Sequence, residues 1–312
     1  MIAYYKTVNG RIEPVPQRED GCWVNVIAPD EDEFNALIHV YGVEPEFLRA
    51  ALDEEESAHV DNEGGQTLVV IDVPCVEKQE ENILYFTMPM GIIITERDLI
   101  TVSLRENPVL MEFSGGLVKN VHTGRKTQFV LYMMLRMASR YLQYLKQIDK
   151  HTNYLESLLR KSMKNKELIQ LLDLQKSLVY FQTSLKSDEV TMEKILRGRY
   201  LKLYDEDQEL LEDVLIEIKQ AIEMSNIYLS ILSGTMDAFA SVISNNLNIV
   251  MKVLTSITIV MAIPTMIFSY YGMNIGDGRN LLPLSGSILY PLIIAVVLTG
   301  VVGIILYKKK MF

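Results

Sequence analysis

The sequence predicts an α+β membrane protein in which an N-terminal α/β domain leads into a long helical stalk and two C-terminal transmembrane helices. Three observations carry that prediction. Two runs near the C-terminus, residues 253–276 and 281–307, contain no Asp, Glu, Lys, Arg or His. Each exceeds the roughly 20 residues a helix needs to cross about 30 Å of hydrocarbon. Before residue 108, short runs rich in Val, Ile and Thr alternate with short amphipathic stretches. After residue 127, Gly and Pro almost vanish and a helical period persists as far as the apolar runs.

Length and charge set the frame for these elements. A chain of 312 residues is long enough for about two folded units. Hydrophobic residues make up 49% of it, yet 22% are charged and the net charge is −10, so the apolar content must be segregated. An acidic chain without a basic face argues against a nucleic-acid partner. Residues 1–6 show no basic segment leading into an apolar one, so the first 240 or so residues are expected to stay in the cytoplasm. Lys308, Lys309 and Lys310 follow the second apolar run, whereas the loop between the runs carries only Asp277 and Arg279, which cancel. The positive-inside rule then places both termini in the cytosol and the loop outside, in a multi-pass protein of the cell (inner) membrane. Cys22 and Cys75 suit a reducing compartment.

Residues 1–126 read as the α/β domain. Strands are expected at 22–27, 67–73, 92–95 and 99–103. Asp30, Glu31, Asp32 and Glu33 open a helix with acids at its positive end, and Gly42 is placed to stop it. Pro45 starts a second short helix running into Leu52. Residues 127–204 read as two antiparallel helices, 127–163 and 166–197, the second ended by Gly198. A third helix begins at Asp205, Glu206 and Asp207 and meets no Gly or Pro before Gly234 and Pro264, so it should run unbroken through 205–271. From 205 to 269 it would span on the order of 95 Å at 1.5 Å per residue, a stalk continuing into the first span. Residues 272–287 form the loop, and 288–312 the second span with a basic tail.

Alternating steps of four and three along the third helix pass through Asp237, Ser241, Ser244, Asn248, Met251, Thr255, Thr258, Ala262, Thr265 and Ser269. Small and polar side chains dominate this stripe, which repeats on a coiled-coil period. Lipid penalises such a face, so it must meet protein or water. Close packing against another helix is one solution, and lining a pore is the other. Two spans per chain cannot enclose a conduit, so a pore requires several copies around an axis, each stripe residue then forming a ring. Met251 and Leu254 would interrupt the polar path with an apolar constriction.

The first span ends in Tyr271, Gly272, Met273 and Asn274. A Gly-Met-Asn triplet closing the first of two C-terminal spans, after a long acidic helix and before a lysine-rich tail, resembles the CorA family of magnesium channels. Residues 68–74 and 91–95 also look like that family's soluble-domain strands, so the resemblance covers nearly the whole chain. It implies a funnel-shaped homopentamer with one long helix per subunit around the pore and the last helix facing lipid. Mg2+, with Co2+ and Ni2+ as similar hydrated ions, would enter down the electrochemical gradient without ATP or an organic cofactor. Rings of neutral oxygen suit Mg2+, which gives up its waters reluctantly.

By the same resemblance, Gly272, Met273 and Asn274 form the selectivity filter. The triplet also reads as a helix C-cap, with Gly272 left-handed. Asn248 is an internal polar ring, Met251 and Leu254 the gate, and Thr255, Thr258, Ala262, Thr265 and Ser269 lining positions. Asp237 is an acidic ring nearer the cytoplasm. Asp277 is the one acid of a loop where relatives often carry several. Regulation by intracellular Mg2+ implies an interfacial carboxylate pair, of which Asp213 is one member. The matching position in the helix after Glu44 is Ala50, beside Arg49. Asp53 and Glu54, in the acidic run 53–56, could substitute, or that run could be a solvated surface. His39, His59, His122 and His151 lack ligand spacing, and no phosphate loop, nucleophile elbow or redox pair occurs, so no enzyme is expected. Two rivals remain: a transporter of zinc or another divalent cation on the same fold, and a membrane-anchored sensor or scaffold.

Overall fold

In a computed structural model, residues 1–79, 82–162, 165–198, 200–272 and 289–309 are described. The elements run β1 (Ile2–Val8), β2 (Arg11–Val15), β3 (Trp23–Ile27), α1 (Glu31–His39), α2 (Pro45–Ala51), β4 (His59–Glu63), β5 (Gln66–Gln79), β6 (Asn82–Ile94), β7 (Leu99–Ser103), α3 (Pro108–Ser114), α4 (Lys126–Ser162), α5 (Asn165–Leu196), α6 (Asp205–Tyr271) and α7 (Leu289–Lys308). The chain divides into two compact units, Met1–Gly234 and Thr235–Phe312.

The first unit is built on a seven-stranded sheet of order β2-β1-β3-β7-β6-β5-β4. All neighbours are antiparallel except β3 and β7, whose parallel pairing is allowed by the long excursion through α1, α2 and the β4–β6 meander. The strands expected from composition are present, but β1, β2 and β4 were not foreseen, and β5 and β6 are longer than expected. The signal for the missed strands lay in their turns. Asn9 and Gly10 join β1 to β2, and Gly64 and Gly65 join β4 to β5, with positive φ at all four residues. Such pairs close two-residue hairpins whose twist matches that of the strands they join.

Both faces of the sheet are covered. Val24, Val26, Ile100, Val102, Leu68, Val70 and Ile93 pack with Leu37 of α1 and Phe47, Leu48 and Ala51 of α2. Asp30 caps α1 by accepting from the Glu33 N–H, while the Glu33 side chain accepts from the Asp30 N–H. Gly91 lets α2 approach β6 closely, since a Cβ there would lie 2.3 Å from the Ala51 Cβ. Trp23, fully buried, meets Phe113 of α3 and Phe129 of α4 as well as Tyr5. Its indole N–H donates to Thr101 Oγ1 at 2.8 Å, and Thr101 donates to Asn25 Oδ1 at 3.0 Å.

The part of α6 within the first unit lies against α5. Gln175 Nε2 donates to Ser233 Oγ at 3.0 Å, Ser225 Oγ donates to the Leu178 carbonyl at 3.1 Å, and Gln182 donates to Asn226. Lys219 reaches Glu189 and Glu193 at 3.8 and 3.7 Å. Gly198, at φ +76°, follows the end of α5 as its position predicted.

In the second unit, residues 235–271 of α6 continue one 67-residue helix, about 100 Å long, through Pro264 without interruption. Pro264 has no N–H to offer the Val260 carbonyl. Both α6 and α7 contain stretches long and apolar enough to cross a membrane, and those stretches are almost wholly unburied within the chain.

A candidate ion-conduction stripe and its family

Every member of the predicted stripe that lies on α6 is exposed: Asp237, Ser241, Ser244, Asn248, Met251, Thr255, Thr258, Ala262, Thr265 and Ser269. Residues 240–252 are exposed all round the helix. This length of about 20 Å carries Ile249, Val250 and Met251 alongside Asn248 and Ser244 with no cover from its own chain, a mixture that neither water nor lipid suits all round.

Two hydroxyls of the stripe are held by their own helix. Thr258 Oγ1 donates to the Leu254 carbonyl at 2.8 Å, and Thr265 Oγ1 to the Met261 carbonyl at 3.0 Å. Their protons are thereby occupied, and the oxygen lone pairs are what they present outward. A row of acceptors without net charge suits a hydrated cation, whose waters donate outward. Met251 and Leu254, 52% and 56% exposed, are the large apolar side chains at the predicted constriction. Ser256, by contrast, is fully buried on another side of the helix, a position the sequence pattern did not single out.

Gly272 closes the helix with its N–H on the Phe268 carbonyl at 2.9 Å. It is not among the glycines with positive φ, so the left-handed cap expected there is not formed at Gly272 itself. A Cβ on it would lie 3.1 Å from the Phe268 carbonyl oxygen, which is tight for any side chain. Met273, Asn274 and Asp277 lie outside the described residues.

The candidate regulatory carboxylates are dispersed. Asp213 is exposed on α6. Asp53 and Glu54 are exposed just beyond α2, where Asp53 Oδ1 accepts from the Glu55 N–H at 2.9 Å and Glu54 pairs with Arg105 at 2.9 Å. An ion pair this exposed contributes about 1 kcal/mol or less, so Glu54 is free to exchange Arg105 for another cation. Among the described residues of one chain, no group of three or more His, Cys, Asp or Glu is placed to hold a metal.

Comparison with known proteins agrees with this architecture. The model of the family described as CorA-like Mg2+ transporter protein matches residues 18–309. The cobalt/magnesium transport protein CorA of Methanocaldococcus jannaschii is 28% identical over 261 residues, covering 81% of this chain and 79% of that protein. Its namesake in Thermotoga maritima is 21% identical over 307 residues, covering 92% of this chain and 82% of that one. The complete structure of the CorA magnesium transporter from Methanocaldococcus jannaschii superposes with a TM-score of 0.78 at 21% identity, over 99% of this chain and 96% of that one. The N-terminal α/β domain, the long helix and the two candidate C-terminal spans are thus the parts of a shared fold, and the chain belongs to the CorA-like Mg2+ transporter family as a membrane transporter of divalent cations.

Proposed function

We propose that five copies of the chain surround an axis lined by α6 and conduct Mg2+ into the cytoplasm, with Co2+ and Ni2+ passing as similar hydrated octahedral ions. The observation that carries this reading is the exposed stripe from Asp237 to Ser269, polar on a seven-residue period and uncovered within one chain. Asn248 forms a polar ring, Met251 and Leu254 the constriction, and Asp237 an acidic ring that concentrates cations. Gly272, Met273 and Asn274 form the outer filter, with Asp277 the acid of the external loop. Both termini face the cytoplasm, and Lys308 and Lys309 anchor the end of α7 at the inner surface. An inside-negative potential supplies about 2.3 kcal/mol per charge at 100 mV, and about twice that for a divalent ion, so no nucleotide site or organic cofactor is required.

The test is flux into liposomes reconstituted with the full chain at low internal Mg2+. The parent is expected to admit Mg2+, and Asn274→Ala to slow entry at least about tenfold, the effect of about 1.4 kcal/mol on a barrier. Equal flux in both removes the filter assignment. No flux in the parent leaves the spans as a mere anchor for the soluble part, and faster entry of Zn2+ than of Mg2+ reassigns the cargo.

Internal Mg2+ closes the pore by bridging Asp213 of one copy to Asp53 or Glu54 of the next. Asp213→Ala is therefore expected to raise the internal Mg2+ concentration needed for half-closure several-fold, measured as flux against internal Mg2+. An unchanged closure curve clears Asp213 of that role.

A further inference from the structure

Away from the stripe, the first unit buries two carboxyl groups where α5 meets β5. Asp188 of α5 is 0% exposed and Asp72 of β5 is 8% exposed. The β4–β5 ladder ends at His59 opposite Val70, so among the described residues β5 has no strand partner on that side beyond it. Helices take the partner's place at Asp72. Asp188 Oδ1 accepts from the Asp72 N–H at 3.0 Å, and Tyr141 of α4 donates its hydroxyl to the Asp72 carbonyl at 2.9 Å. Ser184, one turn before Asp188, lies beside the Asp72 carboxyl and donates to Thr87 Oγ1 of β6 at 2.9 Å. Asp188 Oδ2, also buried, has no hydrogen-bond partner among the described residues.

Groups able to neutralise the pair are turned elsewhere. Towards β4, Ser187 of α5 donates to the Ala58 carbonyl, and the neighbouring His59 faces Glu56 at 3.4 Å. On α6, Lys219 is taken by Glu189 and Glu193. On α4, Arg140 pairs with Glu112, leaving the neutral phenol of Tyr141 against the site. On β5 itself the next polar side chain is Cys75, buried beside Tyr141.

We propose that Asp188 holds a proton at neutral pH and that the Asp72–Asp188 pair is a pH-sensitive latch seating α5, with the length of α6 braced on it, against the sheet. Two buried carboxylates without a cation cannot both ionise. Burial drives Asp188 well above the ordinary carboxylate range, and the charge of Asp72 drives it further against the opposing N–H bond. Burial raises Asp72 too, opposed by Ser184. A carboxyl whose folded pKa is raised stabilises the fold fully below its unfolded pKa and loses that contribution as pH rises through the folded value. Alkaline pH therefore loosens α5. The bonds from Gln175, Gln182 and Ser225 between α5 and α6 make that loosening felt along the cytosolic reach of α6.

The experiment uses the purified full chain in lipid nanodiscs, compared with Asp188→Asn, whose amide keeps the acceptor for the Asp72 N–H while removing the titration. At neutral pH the parent should show the infrared C=O stretch of a protonated carboxyl, absent in Asp188→Asn and fading in the parent as pH rises. The midpoint of thermal unfolding should fall with rising pH in the parent and much less in Asp188→Asn. Cys75, whose thiol burial pushes up to about 12, reports the opening directly: at alkaline pH a thiol reagent should label it several-fold faster in the parent than in Asp188→Asn. Absence of the protonated band at neutral pH overturns the latch, as does an equal pH slope in the two proteins. The same band lost on adding Mg2+ to the parent, with a rise in melting midpoint that Asp188→Asn lacks, identifies a cation site instead and equally overturns it. None of these readouts needs ion flux, so they stand or fall apart from the proposed channel.

Discussion

Asn248→Leu is expected to reduce Mg2+ entry to less than a tenth of the parent's, whereas Val250→Leu, on the same turn but off the stripe, should leave entry nearly unchanged. The contrast arises because one substitution acts on a ring. If Asn248 faces an axis, every copy contributes an amide there, and replacing all of them with isobutyl groups extends the apolar constriction of Met251 and Leu254 by one layer. Water then leaves the axis, and a hydrated divalent ion, which surrenders its shell reluctantly, meets a dry segment. Each tenfold loss of rate corresponds to about 1.4 kcal/mol of added barrier, a small demand for desolvating even part of a Mg2+ shell. Val250 is 61% exposed in the single chain and on the stripe reading meets lipid or a neighbouring helix, where one added methylene is tolerated. Comparable losses in both variants would mean that residue 248 matters only for helix packing.

Trp23→Ala should produce the largest loss of stability in the first unit. The indole is the largest fully buried side chain and holds together β3, Tyr5 of β1, Phe113 of α3 and Phe129 of α4. Truncations of this kind cost about 3–5 kcal/mol through lost burial and the cavity left behind. Removing the N–H also leaves Thr101 Oγ1 without its donor. For a unit of this size the melting midpoint should fall by roughly 6–20 °C, read by circular dichroism because the protein has one Trp. Trp23→Phe retains most of the volume and should lose clearly less. Equal losses would assign the effect to the Thr101 bond and away from packing.

The parts of the molecule legible in the sequence are those set by composition over long stretches. The two spans follow from missing charge, the unbroken α6 from missing Gly and Pro between 205 and 233, and the exposed stripe from its seven-residue period. Short strands were less legible. His59–Glu63 has a single Val among polar residues and becomes β4 because the Gly64–Gly65 turn folds it onto β5, an influence that residue-type enrichment does not register. β2 carries Pro14, which argues against a strand, yet it is tolerated because β2 is the sheet edge. The Asp72–Asp188 pair was invisible for a different reason. The two residues are 116 positions apart, and each in isolation is an unremarkable acid in an acidic chain. The Gly-Met-Asn triplet carried the resemblance to the family, but Gly272 ends α6 without the left-handed conformation that its position suggested.

In the proposed channel the α6 stripe faces water on an axis shared by several copies. Cysteine substitution along residues 244–262 tests it most directly, using a charged, membrane-impermeant thiol reagent on the conducting protein in liposomes. Background labelling is low because Cys22 and Cys75 are both buried. Modification is expected to block Mg2+ flux at Ser244, Asn248, Thr255, Thr258 and Ala262, and to have little effect at Val250, Ile257 and Ile259. Block at the apolar positions, or protection at all of them, would contradict it.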